Sequence, residues 1–150
     1  MLNKTMAERI LLSLWVGSLW TSGYIVAPLL FKQLDRITAG HIAGQLFTIV
    51  SYMGLFVLLV VLLLTLVQEG LRSLQQWRQR IILLMLLVLV IGQFLLHPMM
   101  TELKAAGLQG ENARQFATLH GVSSILFLVN SILGIALLVW GGSGAKQVQD

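Results

Sequence analysis

Four long apolar runs separated by short polar links set the pattern of this chain. The hydrocarbon core of a bilayer is about 30 Å thick and takes about 20 helical residues to cross. Runs at 10–31, 40–67, 81–100 and 116–140 meet or approach that length. They predict an all-α fold, a four-helix transmembrane bundle running up-down-up-down, with residues 1–150 as a single integral membrane domain. The third run is the shortest. Its apolar part, 81–96, covers about 24 Å at 1.5 Å per residue and needs its polar ends to complete the crossing. Links are expected at 32–39, 68–80 and 99–115, with a polar tail at 141–150.

Each run also carries small and polar residues at helical spacing. In the fourth, His120, Gly121, Ser123, Ser124, Asn130, Ser131 and Gly134 fall near one side. In the first, Gly17, Thr21, Tyr24 and Pro28 follow one another by four, three and four residues. In the second, His41, Gln45, Thr48 and Tyr52 share a side, and Gly40 with Gly44 forms a small-xxx-small pattern that permits close helix approach. The third holds Gln93, then His97 and Pro98. Polar side chains inside a membrane normally face the bundle interior, so all these stripes are expected to turn inward. The aliphatic half of the second run, 55–67, is expected to touch lipid instead. Pro28 and Pro98 are expected to kink or stop their helices. Asn130 is expected to make an interhelical hydrogen bond, and Gly121 and Gly134 to mark close contacts. Trp15 and Trp20 are read as interface anchors or packing residues.

Composition agrees with the pattern. The chain is 57% hydrophobic and 11% charged, with a mean hydropathy of +0.84, outside the range of soluble domains. No cysteine is present, which excludes disulfides and thiolate metal sites. A net charge of +4 would suit a nucleic-acid partner, but the basic residues lie in the links and no basic patch interleaves with aromatics. The partner they imply is the bilayer. Lys4, Arg9, Arg72, Arg78, Arg80 and Lys146 fall on one side, against Lys32, Arg36, Lys104 and Arg114 on the other. That bias places both termini in the cytoplasm and the protein in a bacterial inner membrane. The first run follows Lys4 and Arg9 as a signal peptide would, but it continues to Phe31 without a small-x-small exit and reads as an uncleaved span.

Candidate chemistry follows from topology. With four spans, links one and three share a membrane face, which brings His41, His97 and His120 to one boundary. Three imidazoles there could hold a transition metal, with Asp35, Glu102 or Gln45 as further ligands. Two could grip a haem iron. Met99 and Met100 are soft donors for Cu(I), although six methionines in so apolar a chain place such pairs by chance. Against a site stands the spacing, which matches no tight metal motif. An interfacial histidine can also serve only as a hydrogen-bonding residue of the bundle. Ser123 and Ser124 lie near His120, but no third group orients a base, so an enzyme is disfavoured. No mid-span charge exists to support an ion pump.

Two blocks of the sequence resemble the transmembrane protein 205-like family of small four-span membrane proteins. One is 27–47, APLLFKQLDRITAGHIAGQLF; the other is HPMMTEL followed by FATLHGVSS, with Pro98 and the His120-Gly121-x-Ser123-Ser124 run in matching order. The resemblance implies a four-span fold and no established enzymatic activity. An animal member is linked to tolerance of platinum drugs, which implies handling of a metal complex or vesicle traffic. In that pattern His120 is the regular histidine, and His41 and His97 are peculiar to this chain. A more distant likeness to copper-resistance D-type and haem-binding protoporphyrinogen oxidase-type membrane proteins points the same way.

Two functions therefore stand side by side. One is a module binding a metal ion, a haem or a small cation at the outer boundary. The other is a structural or accessory subunit that packs helices of a homo-oligomer or of other membrane proteins and has no ligand of its own.

Overall fold

The computed structural model describes residues 4–140, with side chains from Met6 onward. The tail at 141–150, with Lys146, lies outside the described residues. Four helical spans cover Met6–Gln33, Arg36–Glu69, Trp77–Ala105 and Gly110–Trp140, each long and apolar enough to cross a membrane. They form the expected up-down-up-down bundle, with span one on two, two on three, three on four and four on one. Lys4 and Trp140 lie at one end, called here the terminal end; His41, His97 and His120 lie toward the other, the histidine end.

Every span is longer than its apolar run, because polar residues at the boundaries join the helices. The links shrink accordingly. Link one is only Leu34 and Asp35: the backbone N–H groups of Ile37 and Thr38 each donate to Asp35 Oδ1 at 3.0 Å, so this carboxylate starts span two four residues earlier than the apolar pattern does. Link two turns at Gly70, whose φ of 70° suits glycine, and continues as a short 3-10 helix, Leu71–Gln75. Link three turns at Gly107, with φ 91°, two residues after the helix His97–Ala105 ends.

Both prolines sit inside continuous spans, and both are handled alike. Pro28 has no N–H for the carbonyl of Tyr24, and in an unbroken α-helix its ring would press on that carbonyl. The backbone widens instead into a π-turn, Ser22–Val26, in which the N–H of Ala27 donates to the carbonyl of Ser22, five residues back. Span three repeats the device at Ile91–Leu96, where the N–H of His97 donates to the carbonyl of Gly92 just before Pro98. The expected kinks are therefore wide turns, each ending two residues before its proline.

The core sits toward the terminal end. Trp15 is fully buried. Its Nε1 donates to the carbonyl of Val50 at 3.0 Å, and its ring fills the notch left by Gly54. Val16 and Met85 close on Gly134 in the same way. Around them pack Leu12, Leu19, Leu58, Val61, Ile82 and Leu89. Residues 55–67 face both ways: Phe56, Leu59 and Leu63 are outward, as expected of a stretch that touches lipid, while Val57, Leu58, Val61, Leu62 and Thr65 are buried and carry much of the core. An all-aliphatic helix has no polar side to reveal which face is covered. At mid-span, Trp20, Tyr24, Phe47 and Phe127 form a chain of ring contacts 4.6 to 5.9 Å apart that joins spans one, two and four. Trp20 Nε1 donates to the carbonyl of Ser131 at 3.2 Å, so both tryptophans are packing residues.

Beyond that aromatic layer the bundle opens. Ala27, Ala39, Ala43 and Leu96 are the buried residues there among those described, and span four contributes none before Asn130.

Candidate functional site

The open histidine end holds each histidine in a separate setting. His41 is exposed on span two, and the side-chain amide of Gln45, one turn on, lies 3.4 Å from its Nε2, a hydrogen bond when that nitrogen is unprotonated. His97 is half-buried at the start of the helix that carries Pro98, and its carbonyl accepts from Thr101 Oγ1 at 2.9 Å. His120 is exposed and its ring lies parallel to that of Phe116, with centroids 5.9 Å apart and planes 7° from parallel. Lys104 Nζ sits 5.4 Å from the centroid of the same phenyl ring, so Phe116 meets a cation and an imidazole. Among the described residues no three His, Cys, Asp or Glu side chains gather into a group that could hold a metal ion. The common boundary is there; the common point is not. Asp35 is engaged as the cap of span two, and the backbone N–H of Thr38 foremost holds its carboxyl below the usual carboxylate range.

The polar stripes of spans one and two turn outward, as does the histidine-end half of the stripe of span four, which corrects the expectation that they face inward. Gly17, Thr21, Tyr24 and Pro28 are all exposed, as are His41, Gln45 and Tyr52, and then His120, Gly121 and Ser124. The stripe of span four divides: its second half, Asn130, Ser131 and Gly134, is buried. For span four the reason lies in the splay. The spans pack tightly only toward the terminal end, so one helix face is covered at one end and open at the other. A Cβ added at Gly44 or Gly121 would meet open space, and one at Gly40 only the ring of Phe31 at 3.9 Å. The small-xxx-small pattern makes no close helix approach within this chain. Ser124 Oγ donates to the carbonyl of His120 at 2.8 Å, and Ser123 is half-buried. Asn130 is buried as expected, but its Oδ1 meets no hydrogen-bond donor, so the expected interhelical bond to that oxygen is not made.

Three features escape a reading of apolar runs alone. Glu8 and Arg78 form an ion pair of 2.9 Å that ties the start of span one to the start of span three, with side chains 7% and 21% exposed. Their shared membrane boundary is the signal that could have paired them. Beside Arg78 in sequence, Gln79 is fully buried and neither its Nε2 nor its Oε1 has a hydrogen-bond partner. The third is a groove of about 560 Å³ between spans one and two. Ser13, Gly17, Ser18, Thr21 and Ser22 line one side of it and aliphatic residues of span two the other. Those five follow at spacings of four, one, three and one, a two-row helical ridge visible in the sequence.

The fold and these surfaces define a small multi-pass helical membrane protein with a packed terminal end and an open, polar histidine end. Within that class, residues 10–109 match the family described as Domain of unknown function (DUF4149), and the chain belongs to that family. The match takes in spans one to three and stops at Gln109, so His41 and His97 lie inside it and His120 lies beyond. It gives no support to the transmembrane protein 205-like or copper-resistance D-like relationship. No curated protein matches the chain, and no solved structure does.

Proposed function

We propose that the protein is a helix-packing subunit of a membrane assembly, made with copies of itself or with other membrane proteins, and that it associates through the histidine-end faces of spans two and four. One observation carries this reading. Small and polar residues that a helix has no use for against lipid, His41 and Gln45 on span two and His120, Gly121 and Ser124 on span four, stand on the outside of the bundle, and beside them the half-buried Gly44 has open space at its Cβ. Without a partner those polar groups meet hydrocarbon or headgroups; with one, small residues let backbones approach and polar side chains bond across helices. Metal or haem binding by His41, His97 and His120 is the weaker reading, because it lacks a gathered donor set among the described residues.

The chain has no cysteine, so single cysteines report cleanly. Gly44→Cys and Gly121→Cys are expected to cross-link in native membranes, to a second copy or to one discrete partner, while Leu63→Cys on the lipid face near the terminal end does not. A protein that stays monomeric by sizing in mild detergent, with no cross-link from either position, rules the reading out. A stoichiometric metal signal or haem absorption band in that same monomer, lost when His120 is replaced, moves the assignment to the ligand-binding alternative.

A further inference from the structure

We propose that the groove between spans one and two is a binding site for a single bilayer-dissolved apolar molecule whose head carries a carbonyl acceptor. The inference is independent of the association surface above, which uses other residues. Serine and threonine hydroxyls inside helices usually satisfy themselves by donating to the carbonyl four residues back. Here Ser18, Thr48, Thr65, Thr118, Ser124 and Ser131 all do so, at 2.8 to 3.1 Å. The hydroxyls of Ser13, Thr21 and Ser22 make no hydrogen bond in the described structure; nor do those of Ser51 and Ser123, but the first three stand together along one groove. Ser22 is the most buried of the three, at 5% exposed, and borders the groove. It also opens the π-turn, where its own carbonyl takes the N–H of Ala27.

An O–H in hydrocarbon without an acceptor is costly, and three along one wall call for a ligand that accepts. The facing wall, including Leu46, Ile49 and Met53, is apolar and suits a hydrocarbon tail or ring face. The volume of about 560 Å³ lies within the range of small-molecule sites, about 300–1,000 Å³. The groove occupies the middle of span one, away from both boundaries, so the ligand enters sideways from the bilayer. Fatty esters and quinones share the required chemistry, a carbonyl on an apolar body.

The test uses the full chain in detergent with two probes, methyl palmitate and decylubiquinone, read by native mass spectrometry and, for the quinone, by quenching of tryptophan fluorescence. Saturable binding of either probe, one per chain, is expected, and the probe that binds names the source. Ser22→Ala should weaken binding about five-fold, the usual net worth of one hydrogen bond, and Thr21→Val about as much again. Gly17→Leu, at a position where an added Cβ meets open space, should fill the groove and abolish binding while leaving the unfolding temperature near that of the parent. The proposal is overturned if neither probe binds, or if binding survives Gly17→Leu. Cross-linking of Gly17→Cys to a second copy, with no probe bound, also overturns it and gives the groove to a helix. None of these outcomes depends on Gly44 or Gly121.

Discussion

A methyl group placed on Gly54 has nowhere to go. It would fall within the indole of Trp15, which is fully buried and held by its bond to the carbonyl of Val50. Gly54→Ala is therefore expected to destabilise the protein by about 1–3 kcal/mol, as overpacking does. Gly44→Ala and Gly121→Ala, in open space, should stay within about 0.5 kcal/mol of the parent. Thermal unfolding of the three variants in one detergent checks the ranking; a Gly54→Ala protein as stable as the other two contradicts the packing described. The sequence hides this difference. Gly40 and Gly44 form a recognisable pattern, while Gly54 stands alone among aliphatics, and the residue that needs it lies in another span. Spacing along one helix identifies a small residue but not what presses against it.

At the scale of the element, the starts and stops of helices depend on single side chains more than on hydropathy. The apolar runs were legible at once, yet Asp35 begins span two ahead of its apolar run because it caps the helix. Folding lowers the pKa of this carboxyl, chiefly through the N–H of Thr38. The stability it adds is therefore complete above the ordinary aspartate value, about 3.9, and is lost as pH falls through the lower native value. Asp35→Asn keeps a capping oxygen without the titration, so its unfolding temperature should lose this part of the acid dependence while changing little near pH 7. Asp35→Ala should be less stable than the parent at about pH 7 and converge on it in strong acid. Unfolding curves from about pH 7 to about pH 2 distinguish the three; a parent profile identical to that of Asp35→Asn removes the titrating cap. Pro28 and Pro98 were equally legible as breaks. What the sequence does not disclose is the form of the break, because a proline can be accommodated by a stop, a kink or a wide turn, and the neighbouring helices decide.

For the whole molecule, four spans require that links one and three share a face and that link two lie opposite. Leu34→Cys and Leu108→Cys should react with a membrane-impermeant thiol reagent from one side of sealed vesicles, and Leu71→Cys from the other. All three are exposed, and the chain supplies no competing thiol. Labelling of all three from one side would break the topology. The order of spans could be read from hydropathy, and so could the shared level of the histidines. Their gathering into a site could not, because shared depth fixes one coordinate and leaves two free. The inward direction of the polar stripes followed from the cost of polar groups in lipid, which decides the matter only where the bundle has an interior to offer. This bundle is packed toward one end only, and at the other end the same helix faces look out.

That uneven packing has a mechanical meaning. Rods gripped at one end turn about the grip, and their free tips travel furthest. Lateral pressure in the leaflet around the gripped end works against a filled interior and achieves little. The same pressure in the opposite leaflet acts on long levers, each span one and three lever jointed by a widened turn below its proline. A change in thickness or crowding confined to that leaflet is therefore expected to act chiefly on the loosely packed tips, where His41 and His120 stand exposed.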